Sequence, residues 1–162
     1  MSKLVIANFK MNGSKDFIES WIKDFFAEQE SANSIIVALP SPYLLAFNNR
    51  GLTLSGQNVS NEDSGAFTSQ LSAEMLKDCG VKYCLIGHSE ARQFLTETNE
   101  IIKQKFDQLK KESLQPILCI GEPLKIKEAS KTTDYLTEQL DLIDSDQENL
   151  IIAYEPIWSI GT

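Results

Sequence analysis

Leu150-Ile151-Ile152-Ala153-Tyr154-Glu155-Pro156-Ile157-Trp158-Ser159-Ile160-Gly161-Thr162 is the stretch on which the reading of the fold turns. Its first five residues are apolar with no polar alternation, the pattern of a strand buried on both faces of a parallel sheet. A carboxylate, Glu155, stands at the end of that run, and a loop bearing Pro156, Trp158 and Gly161 follows. A carboxylate at the mouth of a buried strand is placed for proton transfer rather than for solubility. A Trp-bearing loop with Gly near its far end has the makeup of a lid.

Working back from there, β-rich runs of the same kind recur at Leu4–Ala7, Ile35–Leu39, Leu52–Ser55, Val81–Ile86 and Pro116–Ile120. Helical stripes lie between them. Phe17, Ile18, Trp21, Ile22, Phe25 and Phe26 recur at three- and four-residue spacing, as do Ile102, Phe106 and Leu109, and Tyr135, Leu136, Gln139-Leu140 and Ile143. Ser72 reads as an N-cap and Gly80 as a helix stop, and Ser41 to Gly51 leaves room for about two helical turns. Strands alternating with helices predict an α/β protein whose parallel strands are joined by right-handed crossovers. An open doubly wound sheet and a (β/α)8 barrel both fit. Length favours the open sheet, since a full barrel takes roughly 200 residues or more.

The chain has 162 residues, enough for one domain, and no Pro/Gly-rich linker or low-complexity tract divides it, so residues 1–162 read as a single domain. Hydrophobic residues make up 42%, as in a soluble globular protein. A net charge of −8 argues against nucleic acid or an anionic membrane as the main partner, though it leaves an anionic small substrate open. Cys79, Cys84 and Cys119 have no metal-ligand spacing, and the odd count disfavours a disulfide framework; Cys84 and Cys119 read as buried reduced thiols. The start does not resemble a signal peptide and no run is long enough to span a membrane, so the expectation is a cytoplasmic protein.

In either architecture the polar residues at the carboxyl ends of the strands carry the chemistry. The first strand leads into Asn8-Phe9-Lys10, and in an extended segment Asn8 and Lys10 point the same way. A Lys beside a buried strand is costly unless it meets an anion, or else it snorkels to the surface. The fourth strand leads into Gly87-His88-Ser89-Glu90, with the single histidine of the chain. Read alone, His88 fits best as a core or capping histidine hydrogen-bonded to backbone. A short helix from Ser89 would aim N–H dipoles at the ring and keep it neutral. Glu122, after Cys119-Ile120-Gly121, is either an orienting group or a solvated loop acid. A base, a neutral electrophile and a cation at one mouth suit proton abstraction next to a carbonyl.

Asn8-Phe9-Lys10-Met11-Asn12-Gly13, Gly87-His88-Ser89-Glu90, Cys119-Ile120-Gly121-Glu122 and Ala153-Tyr154-Glu155-Pro156-Ile157-Trp158-Ser159-Ile160-Gly161-Thr162 together resemble the triosephosphate isomerases, in that family's order along the whole chain. The resemblance implies a (β/α)8 TIM barrel and interconversion of dihydroxyacetone phosphate and D-glyceraldehyde 3-phosphate, a step of glycolysis and gluconeogenesis, with no cofactor and no metal. It makes Glu155 the base, His88 the polariser of the carbonyl oxygens, Lys10 the source of positive charge, and Asn8 a substrate-positioning group. The pairing of a Glu base with a neutral His is that family's own well-known arrangement, carried over rather than deduced from these residues. Trp158 to Thr162 would belong to the lid, with the Gly161 N–H offered to the phosphate. Glu90 and Glu122 take supporting places. Gly65-Ala66-Phe67-Thr68 resembles the protruding third loop, whose Thr68 would enter a neighbouring subunit and imply a homodimer.

Three departures stand out. Ser69-Gln70 replaces the usual Gly-Glu, and Ala91-Arg92 replaces a common pair of arginines. The third is larger: the family's barrel has eight βα units and these residues supply about six, so the domain is expected to lack the seventh and eighth, which carry much of the phosphate grip. The competing expectation is an inactive barrel fragment with at most weak anion binding. A Schiff-base aldolase is disfavoured, because Lys10 is not on a late interior strand.

Overall fold

The computed structural model describes residues 4–28, 35–48, 50–141, 143 and 150–160. Strands β1 (Val5–Asn8), β2 (Ile35–Ala38), β3 (Thr53–Gly56), β4 (Tyr83–Ile86), β5 (Gln115–Ile120) and β6 (Ile151–Tyr154) form one sheet. Every pair is parallel and the spatial order is the sequence order, β1-β2-β3-β4-β5-β6. A doubly wound sheet reverses direction partway across, and this one never does. The length-based preference for an open sheet is therefore wrong. Length limits how many βα units a chain holds, whereas the winding direction is set by repeated right-handed crossovers. Added always on the same side, they put every helix on one face and curl the sheet as in the wall of a TIM barrel.

The helices are α1 (Lys15–Glu28), α2 (Ser41–Phe47), α3 (Ala73–Asp78), α4 (Ser89–Phe94), α5 (Asn99–Lys111), α6 (Leu124–Glu128) and α7 (Thr132–Leu140). The Ser72 hydroxyl caps α3 by accepting from the Met75 N–H, and Gly80 ends it at a φ of 76°. The short α6 has no stripe long enough to be legible in sequence.

Two apolar layers explain why the strands lack alternation. On the convex face Val37, Leu54, Cys84, Ile86, Leu118 and Ile120 meet Ile18, Leu44, Leu76, Ile102, Phe106 and Leu109 of the helices. On the concave face Ile36, Ala38, Leu85, Ile117 and Cys119 pack together with Ile6, Ile151 and Ala153. Strand β6 departs from the expected two-sided burial: Ile151 and Ala153 are half-buried, while Ile152 is 47% and Tyr154 51% exposed. Among the described residues its outer face is only partly covered, with the Tyr154 hydroxyl bonded to Glu122. At the other margin Leu4 and Val5 are exposed as well.

Candidate active site

The concave wall places the carboxyl ends of β1, β4, β5 and β6 around one mouth. Contrary to the extended reading, the backbone does not continue as a strand past Asn8. Its carboxamide oxygen accepts the Lys10 N–H at 2.9 Å, and Lys10 turns into the left-handed region at φ 50°. The Gln57 side chain secures that turn by donating to the carbonyls of Lys10 and Ala38. Lys10 Nζ then reaches Glu90 Oε1 at 2.9 Å. The cation expected to need an anion has one, half-exposed and exchangeable.

His88 caps α4 and is 6% exposed. Its Nδ1 accepts the Glu90 N–H at 3.2 Å. A ring nitrogen that accepts carries no proton, so the imidazole is neutral and its hydrogen sits on Nε2. Nε2 stands 3.3 Å from Glu155 Oε2. That carboxylate oxygen is buried with no hydrogen-bond partner among the described residues. A buried, unpartnered carboxylate oxygen is a strong acceptor held away from water.

Arg92 lies beneath His88. Its guanidinium donates to the carbonyl of Gly87 at 2.7 Å, to Asn99 Oδ1 at 2.6 Å and to the carbonyl of Cys119 at 3.4 Å, tying β4 to β5. Burial pulls its pKa down from the usual arginine value. The Cys119 thiol on the concave face is pushed up to about 12, first by burial and then by the nearby Glu155 carboxylate. Cys84 is raised further by burial. Both thiols are free and buried, as the sequence predicts, and unreactive.

Of the two readings left open for Glu122, solvation is excluded: the residue is 1% exposed. It accepts from Trp158 Nε1 at 2.9 Å and from the Tyr154 hydroxyl at 3.1 Å, while its carbonyl accepts the Ile157 N–H. Burial pushes this carboxyl up. The bonds from Trp158, its own N–H and Tyr154, with the Lys127 charge, outweigh that and leave its pKa below the ordinary value. Residues Ile157–Ser159 make one turn of 3-10 helix, and Lys127 Nζ lies 3.1 Å from the Trp158 ring centre. Gly161 and Thr162 lie outside the described residues.

Thr68 is exposed in a long loop between β3 and α3, far in sequence from the other groups. The Ser69-Gln70 departure has structural content there: Ser69 holds φ 77°, a left-handed value that suits the glycine usual in the resemblance. Gln70 accepts a hydrogen bond from the Ser60 hydroxyl.

The structure thus brings Asn8, Lys10, Glu90, His88 and Glu155 to one mouth, with Glu122 and Trp158 behind the last strand. Sequence reasoning gave no role to Gln57 or Gln139. The second had a signal: it is a polar residue on the core-facing stripe of α7, between the apolar Leu136 and Leu140. Among the described residues no group of three His, Cys, Asp or Glu side chains lies close enough to hold a metal ion.

The chain also compares directly with known proteins. A family model described as triosephosphate isomerase matches residues 3–162. A triosephosphate isomerase of Buchnera aphidicola subsp. Cinara cedri is 43% identical over 98% of this chain and 68% of its own length. Those of Shewanella sp. (strain ANA-3) and Klebsiella pneumoniae are 38% and 39% identical, each over 98% of this chain and 68% and 67% of their own lengths. Matched from end to end, with a sheet wound in the sequential order of that fold, the chain belongs to the triosephosphate isomerase family.

Proposed function

We propose that the site at this mouth interconverts dihydroxyacetone phosphate and D-glyceraldehyde 3-phosphate, with Glu155 as the base. The observation that carries this reading is the buried, unpartnered Oε2 of Glu155, 3.3 Å from the protonated nitrogen of a neutral His88. The carboxylate takes the proton from the hydroxymethyl carbon, and the electron pair moves onto the carbonyl oxygen to give an enediolate. Returning the proton to the adjacent carbon yields the aldose. His88 Nε2–H donates to the oxygen that gains charge and passes a proton between the two oxygens. Lys10 exchanges Glu90 for the anionic substrate, and Asn8 positions it. The chemistry uses only protein side chains.

Trp158 to Thr162 belong to the lid in this reading, and the hydrogen bond from Trp158 to Glu122 supports an anchored start to it. The domain is one incomplete barrel, in which these residues supply about six βα units and the seventh and eighth, which carry much of the family's phosphate grip, are absent. Exposed apolar residues at both sheet margins support it: Val5 on β1, and Ile152 and Tyr154 on β6. The working form is a homodimer. Exposed apolar residues support it: Met11 and Phe67 on loops, and Phe94 and Leu95 at the end of α4; Thr68 is exposed beside Phe67 in the chain. No helix is long and apolar enough to cross a membrane among the described residues. A glycolytic role places the protein in the cytoplasm, with no nucleic acid or membrane partner.

A coupled triose phosphate isomerisation assay on the full-length protein tests the reading. Glu155→Gln lowers turnover by at least ~10²–10³, the usual weight of a positioned base. Near-normal turnover in that variant would falsify the role.

A further inference from the structure

The end of β5 holds the end of β6 by main-chain contact. The Glu155 N–H donates to the Ile120 carbonyl at 2.8 Å. The next residue, Gly121, is pressed against Glu155 so closely that a Cβ built on it would lie 1.9 Å from the Glu155 carbonyl oxygen and 2.7 Å from its carbon. Wherever the Gly121 main chain sits, it fixes how far the base can settle toward β5.

One buried side chain serves both hydrogen-bonding groups of Gly121. Gln139, on α7 and 5% exposed, accepts the Gly121 N–H on Oε1 at 2.9 Å, and its Nε2 faces the Gly121 carbonyl at 3.4 Å as donor. A carboxamide that both accepts from and donates to one residue's main chain locates that residue in two directions, as a neighbouring strand would. Around it Leu136 and Leu140 of α7, and Ile143 just beyond the helix, are apolar and pack on the core. A polar residue at such a position costs free energy unless its bonds are made, and Gln139 makes them to the peptide that abuts the base.

We propose that Gln139 is a positioning residue for Glu155, acting through the Gly121 main chain. The inference rests on the assignment of Glu155 as the base. It gives the outer helix layer a direct mechanical connection to the concave mouth. Removing the carboxamide lets Gly121 relax toward α7 and Glu155 follow it, by less than the ~1 Å misplacement that costs about 10²-fold in rate.

Gln139→Met keeps the length and volume of the side chain and removes both hydrogen bonds. In the full-length protein it lowers kcat about 10-fold and leaves KM within about twofold, since no substrate contact is touched. Gln139→Glu separates positioning from packing. The introduced carboxylate faces the Gly121 carbonyl at neutral pH. It regains a donor when protonated, and burial raises the pH at which that occurs. The ratio of variant to wild-type kcat therefore rises at least about 3-fold from pH 8 to pH 5.5, and taking the ratio cancels the titration of Glu155 itself.

A Gln139→Met protein with kcat within twofold of wild type overturns the proposal. So does a Gln139→Glu ratio that is flat with pH, which decides the matter should the Met variant fail to fold. Wild-type protein with no isomerase turnover, or a fully active Glu155→Gln, removes the underlying assignment instead. An active wild type with an inactive Glu155→Gln and unaffected Gln139 variants removes this inference alone.

Discussion

Replacing Gly121 by Ala puts the geometry of the mouth to a direct test. The added methyl would lie 1.9 Å from the Glu155 carbonyl oxygen, where real Cβ atoms essentially never approach within 3.0 Å. The atoms must separate by about 1.1 Å, and the obstacle is main chain, which cannot swing aside as a side-chain tip does. Two main chains share the displacement, and β5 is the more deeply buried: Ile117, Leu118 and Cys119 are at most 1% exposed, against half-exposed residues on β6. Glu155 therefore takes most of the shift and leaves its 3.3 Å relation to His88 Nε2. A misplacement of about 1 Å costs on the order of 10²-fold, so kcat falls by that factor while KM changes no more than about 3-fold. Overpacking costs about 1–3 kcal/mol of stability in addition. Kinetics are read well below the melting temperature, beside Gly80→Ala as a control. There φ is 76° and the added methyl would meet the Asn48 carboxamide, a side-chain tip remote from the mouth. That control loses about 1–2 kcal/mol of stability with kcat unchanged. A folded Gly121→Ala enzyme whose kcat lies within 3-fold of wild type would refute the claim that this contact sets the base.

Two further outcomes follow from the backbone and from charge. Ser69→Gly relieves a left-handed φ of 77° in an exposed loop, and raises stability by about 1 kcal/mol, or roughly 2–4 °C in Tm, on a calorimetric scan; an unchanged or lower Tm would mean the turn carries no strain. Glu122 has its pKa held below the ordinary carboxylate value in the folded protein, so its contribution is complete above the unfolded pKa and is lost as pH falls through the lower folded one. In urea titrations wild type is therefore more stable than Glu122→Gln from about pH 5 to 7, and the gap narrows as pH drops below about 4.5. A gap constant down to pH 3 contradicts the assignment of that bonding to the ionised form.

Much of this was legible because the strands and their mouths are written locally. The apolar runs marked all six strands to within two residues, and Ser72 and Gly80 bracketed α3 through cap chemistry that depends on near neighbours alone. Winding direction was not legible from length, because both architectures use the same βα unit and differ only in which side each new strand joins. The extended reading of Asn8 to Lys10 failed for a similar reason. The turn at Lys10 is stabilised by Gln57, 47 residues away, and by the Asn8 carboxamide competing with strand continuation. Gln139 showed itself only as a polar residue on an apolar stripe. What it bonds to is a main-chain group 18 residues earlier, and no side-chain pattern reports that.

The contacts between β5 and β6 also separate two jobs that sit side by side in sequence. Glu155 is held by main chain: its N–H on the Ile120 carbonyl, its carbonyl against Gly121, and Gly121 clamped by Gln139. Three residues later the Trp158 side chain is held by other side chains, through its indole N–H on Glu122 and its ring against Lys127. Main-chain contacts within a packed wall resist displacement, whereas one side-chain hydrogen bond and one cation–π contact can be broken by rotation of a side chain. The Ile157 N–H on the Glu122 carbonyl marks the border between the two regimes. On the proposed lid reading, closure over the mouth breaks the Trp158 contacts first and meets that border before it reaches Glu155. On that same reading, the residues around Pro156 separate a movable loop from a fixed carboxylate, the arrangement needed when exclusion of water and transfer of a proton fall to neighbouring residues.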